Sequence, residues 1–197
     1  MYIYSVTGFG KGKTESAVGM VIKALANDHK VLFTKFLKDG NLSEVMYLKD
    51  KIDIMNSNTD KIVLLKNKTQ EDVDNIIEFF NEVERKIISG DYNLLVLDEI
   101  LATLDIGMVS ITMLKGLINI CKTKDIDIYM TGRIRDREMR MFVTSISDSV
   151  TDVHCVKHMF DTYCTDCKKS YPYYYTYCPD CGKQLDTSIP CKLGRDY

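Results

Sequence analysis

A chain of 197 residues, 45% hydrophobic and 27% charged, with a net charge of −2, has the balance of one ordinary globular domain with room for a small appendage. Acids and bases are interspersed, so charge leaves no nucleic-acid footprint, and no apolar run approaches the ~18 residues that span a bilayer. The opening residues are strand-like rather than a basic-then-apolar leader, which points to the cytoplasm; there, seven cysteines read better as metal ligands than as a disulfide framework.

In chain order, "YIYSV" (2–6) reads as a short strand. From Lys13 to Asn27, Ala17, Met20, Val21, Ala24 and Leu25 recur at helical spacing. "KVLFTKF" (30–36) is a second strand. Residues 69–90 open on a Thr followed by acids and close on Gly90, which are helix start and stop signals. "NLLVLDE" (93–99) is a continuous apolar run ending in two acids. A helix over 109–122, a strand over 125–132, a helix over 136–146 and a strand over 149–156 complete the series. Apolar strands alternating with helices predict an α/β fold, a mostly parallel sheet with helices on both faces. The texture changes near residue 160. The expected division is a main domain over 1–160, a cysteine-rich module over 161–190 and a tail over 191–197 that returns to the main domain.

Between the first strand and the first helix lies "TGFGKGKT" (7–14). Backbone N–H groups in such a turn point inward, and a helix N-terminus carries partial positive charge, so the loop suits phosphates. The nucleotide-binding candidates are therefore Thr7, Gly8, Phe9, Gly10, Lys11, Gly12, Lys13 and Thr14. Lys13, taken to sit at an exposed mouth, reaches the distal phosphates, and the Thr14 hydroxyl ligates magnesium. The strict pattern has glycine where this chain has Thr7, so the loop is a variant. A Gly-rich turn without nucleotide is the competing reading. Asp98 and Glu99 end an apolar strand, where P-loop proteins keep the carboxylate that holds magnesium. Asp98 is the expected ligand and Glu99 a supporting group; a plain surface turn is the alternative.

These segments carry a family resemblance. "TGFGKGKT" (7–14), "VLFTKFLKDG" (31–40), "YNLLVLDEILATLDIGMVS" (92–110), "IYMTGR" (128–133), "VKHMFD" (156–161) and the tail "CKLGRDY" (191–197) resemble P-loop ATP:corrinoid adenosyltransferases in order and spacing. The resemblance implies a P-loop NTPase-like sheet and transfer of the 5'-deoxyadenosyl group of ATP to the reduced cobalt of a corrinoid, with release of triphosphate. It implies ATP with Mg2+, a corrinoid acceptor, a flavin-type reductase as supplier of reduced corrinoid, and a homodimer, with no nucleic-acid or membrane partner. It adds Lys157, His158 and Asp161 to the cofactor-binding residues. Two readings are open for Arg133: a phosphate partner at the carboxyl end of a strand, or a solvated charge in "RIRDREMR".

The chain departs from the family in three places. Glu15 replaces the usual second Thr after the loop. The stretch 56–70 has no aromatic residue where members place a pair that shapes the corrinoid pocket. About thirty residues are inserted before the tail. They hold Cys164, Cys167, Cys178 and Cys181 as two Cys-x2-Cys pairs, the second in "CPDCG". That spacing predicts a closed tetrahedral thiolate site in a zinc-ribbon-like module, structural and holding zinc, with iron as the alternative occupant. Cys121 and Cys155 are expected in the core, and Cys191 has no assignment. Two further readings stay open: a P-loop nucleoside kinase of the thymidine-kinase type, which also carries a zinc module, and a nucleotide- or corrinoid-binding protein that is not an enzyme.

Overall fold

The computed structural model describes residues 1–37, 47–57, 68–154, 162–171 and 175–185. It divides into two compact units. One comprises residues 1–8 and 12–152, the other 9–11 and 153–197.

The first unit is built on a six-stranded, wholly parallel sheet in the order β3-β2-β4-β5-β1-β6. Its strands are β1 (Ile3–Thr7), β2 (Val31–Lys35), β3 (Asp53–Asn56), β4 (Leu94–Asp98), β5 (Asp127–Thr131) and β6 (Ser149–Asp152). The helices are α1 (Lys13–Leu25), α2 (Gln70–Ser89), α3 (Ile100–Asp105), α4 (Ile111–Thr123) and α5 (Arg137–Ile146). Every residue of β2 and β4 is buried, as continuous apolar runs require of strands covered on both faces.

Side chains alternate along each strand. Leu32, Leu95, Leu97, Ile128 and Met130 share a core with Ile76, Phe80 and Val83 of α2 and with Leu114, Leu117 and Cys121 of α4. α1 buries Ala17, Val21 and Ala24 and packs against β2, β4 and β5. A capping box starts α2: the Thr69 hydroxyl accepts from the Asp72 N–H, and the Asp72 carboxylate accepts from the Thr69 N–H. Ser110 and Asp136 cap α4 and α5.

Among the described residues of the first unit, two elements escape the sequence pattern. β3 has four residues and α3 has six, each too short for a period to register. Glu99 leaves the strand that the apolar run suggested. It adopts a left-handed backbone (φ 65°) and serves as the N-cap of α3. β6 stops at Asp152, and Val153 and His154 continue without strand pairing. Lys157, His158, Asp161, Cys155 and Cys191 lie outside the described residues.

In the second unit, β7 (Thr162–Cys164) and β8 (Lys169–Tyr171) form an antiparallel hairpin. Its small core is Cys164, Tyr171, Cys178 and Leu185. The Gly10 N–H donates to the Val153 carbonyl at 2.7 Å.

Candidate functional site

Polar side chains gather where the parallel strands end. The last residues of β1, β2, β3, β4, β5 and β6 are Thr7, Lys35, Asn56, Asp98, Thr131 and Asp152. Ligands of open α/β sheets bind at the carboxyl ends of the strands. Asn56, Lys35 and Asp98 are register partners across β3, β2 and β4, so their side chains share a sheet face.

Gly12 is the N-cap of α1, with φ 107°, a conformation that side-chain-bearing residues rarely adopt. No side chain caps this helix, unlike α2, α4 and α5. A capless first turn leaves N–H groups suited to an anion. Lys13 and Thr14 are its first two residues, each 7% exposed. The expected exposed mouth at Lys13 is therefore corrected: as the first residue of α1 its side chain is packed. Glu15 is exposed, so the additional carboxylate lies in water at a helix N-terminus, where negative charge is favoured.

The Thr14 hydroxyl donates to the Asp98 carboxylate, at 3.0 Å from Oδ1 and 3.2 Å from Oδ2. Asp98 is wholly buried. Thr131, also wholly buried, donates to Asp98 Oδ1 at 2.5 Å and accepts from the Glu99 N–H at 3.0 Å. The Asp98 carbonyl accepts from the Phe36 N–H at 2.9 Å. Gly132 follows with φ 143°, and a Cβ there would lie 2.5 Å from the Ala102 nitrogen. The ends of β4 and β5 are thus locked to each other and to α3.

Thr14 and Asp98 provide a hydroxyl oxygen and a carboxylate side by side. Magnesium takes such hard oxygen donors, typically one or two from protein with the remainder from water and phosphate. The donor set fits that ion. Thr7 is 1% exposed, and its Oγ1 has no hydrogen-bond partner among the described residues; the same holds for Asn56 Oδ1. Buried polar atoms without partners are rare, and both occur at strand carboxyl ends. A cavity of about 300 Å3 adjoins the end of β3, lined by Asn56, Ser57, Asn75, Glu78, Phe79 and Glu82. Arg133 is exposed two residues beyond β5.

The structure therefore brings Thr14 and Asp98 together, with Glu99 beside them through Thr131. Thr131 and Lys35 were not singled out by the sequence. "TGR" drew attention to its arginine, and "VLFTKF" read as a strand. The available signal was a polar residue closing an apolar strand, repeated in four neighbouring strands.

In the second unit, the four Sγ atoms of Cys164, Cys167, Cys178 and Cys181 lie within 4.8 Å of one another. Cys164 Sγ is 3.5 Å from Cys181 Sγ, and Cys178 Sγ is 3.8 Å from Cys167 Sγ. Tetrahedral zinc with bonds of about 2.3 Å places its sulfurs about 3.8 Å apart. The cluster fits. Lys168 and Gly182, both at positive φ, turn the chain immediately after each pair. The Gly182 N–H donates to the Cys178 carbonyl at 2.8 Å, and the Cys167 N–H approaches Cys164 Sγ at 3.4 Å. Two ion pairs, Lys169 to Asp180 and Lys183 to Asp166, each at 2.6 Å, link the two halves.

Comparison with known proteins agrees with the geometry. The chain is 27% identical over 147 residues to the uncharacterized protein all2391 of Nostoc sp. (strain PCC 7120 / SAG 25.82 / UTEX 2576), a match covering 66% of this chain and 39% of that protein. The chain thus spans about two fifths of the relative's length. The family model described as ATP:corrinoid adenosyltransferase BtuR/CobO/CobP matches residues 1–168, which takes in the whole parallel sheet and the first Cys-x2-Cys pair but stops short of the second. A matched span of that extent, on an α/β sheet of P-loop NTPase type, makes this chain a member of the ATP:corrinoid adenosyltransferase family.

Proposed function

We propose that this chain transfers the 5'-deoxyadenosyl group of ATP to the reduced cobalt of a corrinoid. The cobalt electron pair forms the Co–C bond at the ribose 5' carbon, the C–O bond breaks, and triphosphate leaves with the bonding electrons. The observation that carries the reading is the Thr14 hydroxyl on the Asp98 carboxylate at 3.0 Å, directly after the glycine-capped start of α1, in a chain of this family.

The leaving group is the whole triphosphate, so charge develops along its length. Loop N–H groups over residues 7–14 and the Lys13 ammonium stabilise that charge in a site shielded from water. Magnesium, when bound, neutralises phosphate charge and holds the chain in one pose. Thr14 and Asp98 would hold it. Having donated its only proton to Asp98, the Thr14 oxygen keeps lone pairs for a cation. Glu99 supports the end of β4, and Arg133 is a second phosphate cation. Lys157, His158 and Asp161 complete the nucleotide and corrinoid contacts. No protein nucleophile is required, since the acceptor is itself the nucleophile; the protein supplies proximity.

The same reading places the protein in the cytoplasm as a homodimer that receives reduced corrinoid from a flavin-type reductase. No described helix is long and apolar enough to cross a membrane. The four-cysteine site holds a structural zinc, because four thiolates leave no open coordination position. The test is adenosylation itself. With ATP, Mg2+ and chemically reduced cobalamin, a light-sensitive Co–C product is expected. Tight ATP binding with no such product from any reduced corrinoid would leave a binding protein in place of an enzyme.

A further inference from the structure

Four thiolates around a divalent ion leave negative charge over, and the second unit meets it with a core of only Cys164, Tyr171, Cys178 and Leu185. Cys181 is exposed and Cys167 half-buried, so water can reach them, whereas Cys164 and Cys178 are buried and need donors from the protein. Cys164 Sγ has the Cys167 N–H at 3.4 Å. Cys178 Sγ lies 3.4 Å from the Tyr171 hydroxyl, inside the core, and the backbone N–H groups of Asp180 and Cys181 face it as well. Those backbone donors belong to the turn of the second Cys-x2-Cys pair. The phenol belongs to β8 and to neither pair. A cysteine that ligates a metal has lost its proton, so its sulfur only accepts, and the phenol O–H is the donor in this contact. The Asp180 carboxylate also lies near the phenol, but Lys169 already meets it at 2.6 Å.

We infer that Tyr171 is a positioning residue of the metal site: its hydroxyl donates to the Cys178 thiolate, holds that sulfur toward the ion and offsets charge that a buried sulfur cannot share with water. This rests on the four-cysteine metal reading but concerns a residue outside the ligand set and beyond the family match, which ends at residue 168. The hairpin fixes where the phenol sits. Tyr171 is the register partner of Thr162, and the Thr162 hydroxyl donates to the Tyr171 carbonyl at 2.7 Å. Cys164 closes β7 of the same hairpin. The element that carries a ligand of the first pair thus delivers a side-chain donor to the second.

The experiment loads the full chain with Co2+ or Zn2+ and compares wild type, Tyr171→Phe and Thr162→Val. Phenylalanine keeps the ring and removes the hydroxyl. Thr162→Val weakens the hairpin and leaves the phenol in place. A hydrogen bond stabilises the sulfur lone pair from which the thiolate-to-cobalt absorption arises. At saturating Co2+ that band is expected to move to lower energy in Tyr171→Phe and to stay in place in Thr162→Val. In competition with a chelator, Zn2+ affinity is expected to fall about 10–100-fold in Tyr171→Phe, as for partners behind metal ligands. An unmoved band with wild-type Zn2+ affinity would make Tyr171 a packing residue and overturn the inference. Equal losses in Tyr171→Phe and Thr162→Val would overturn it too, since hairpin stability would then account for both. If Tyr171→Phe holds no metal even at saturation, retention by Thr162→Val supports the hydroxyl and loss in both variants overturns it. Wild type that binds neither ion would instead strike the four-cysteine reading, a result distinct from failure of the Tyr171 role.

Discussion

Thr14 and Asp98 lie 84 residues apart in sequence, yet the hydroxyl of one donates to the carboxylate of the other at 3.0 Å inside the protein. Replacing Asp98 by Asn keeps the shape and one acceptor oxygen but removes the charge. Apparent affinity for Mg2+ in the presence of ATP is expected to drop at least about tenfold. Measured Mg2+ activation that matched wild type would take Asp98 out of the metal site.

Lys13→Ala should act on the reaction more than on folding. Losing a charge-assisted contact to a developing anion costs on the order of 10²–10³-fold in rate. Lys13 is 7% exposed, so its packed stem adds a stability loss that an exposed lysine would not show. Single-turnover rates read alongside thermal melts separate the two. A variant that turns over at the wild-type rate would remove the loop from the mechanism.

Much of this site was legible in the sequence because its parts are local. The glycine-rich turn, the Gly-Lys-Thr that opens α1 and the acid closing an apolar strand each declare themselves within ten residues. The cysteine pairs did so as well. The buried companions did not. Lys35 and Thr131 acquire meaning only from sheet order, which makes them neighbours of Asp98 from other strands. β3 went unread because four residues carry no usable period. The burial of Lys13 depends on tertiary packing around the start of α1, which local spacing does not encode.

The four-cysteine cluster should bring one zinc per chain, found by elemental analysis of purified protein. Thiolate ligation drives folding of modules this small. Cys178→Ser is therefore expected to expose residues 162–185 to protease while the six-stranded sheet keeps its far-UV signal. Four freely titrating thiols with no zinc or iron bound would contradict the assignment, and collapse of the whole circular dichroism spectrum would show that the sheet depends on the module.

Edge strand β3 is fastened by a hydrogen bond from the Tyr92 hydroxyl to Asp53, with Lys86 at 3.5 Å from the same carboxylate. The Tyr92 bond, opposed by desolvation and aided by Lys86, holds the Asp53 carboxyl below the usual carboxylate range. A lowered carboxyl contributes stability above its unfolded value of about 3.9 and loses it as pH falls through the folded value. Asp53 is 51% exposed, so the contribution stays below about 1 kcal/mol. Urea unfolding should show Tyr92→Phe less stable than wild type at pH 7, with the gap narrowing toward pH 3. A gap that widened on acidification would reverse the assigned sign.

The fate of the phosphate chain tests the central claim most directly. The loop and Lys13 recognise phosphate charge and not which bond will break, so the products must decide. With ATP, Mg2+ and reduced corrinoid, phosphorus NMR of the quenched reaction should show intact triphosphate in equal amount to the adenosylated corrinoid, and no ADP. ADP formed in step with turnover, or turnover indifferent to the corrinoid, would contradict the account and make the chain a phosphoryl-transfer enzyme.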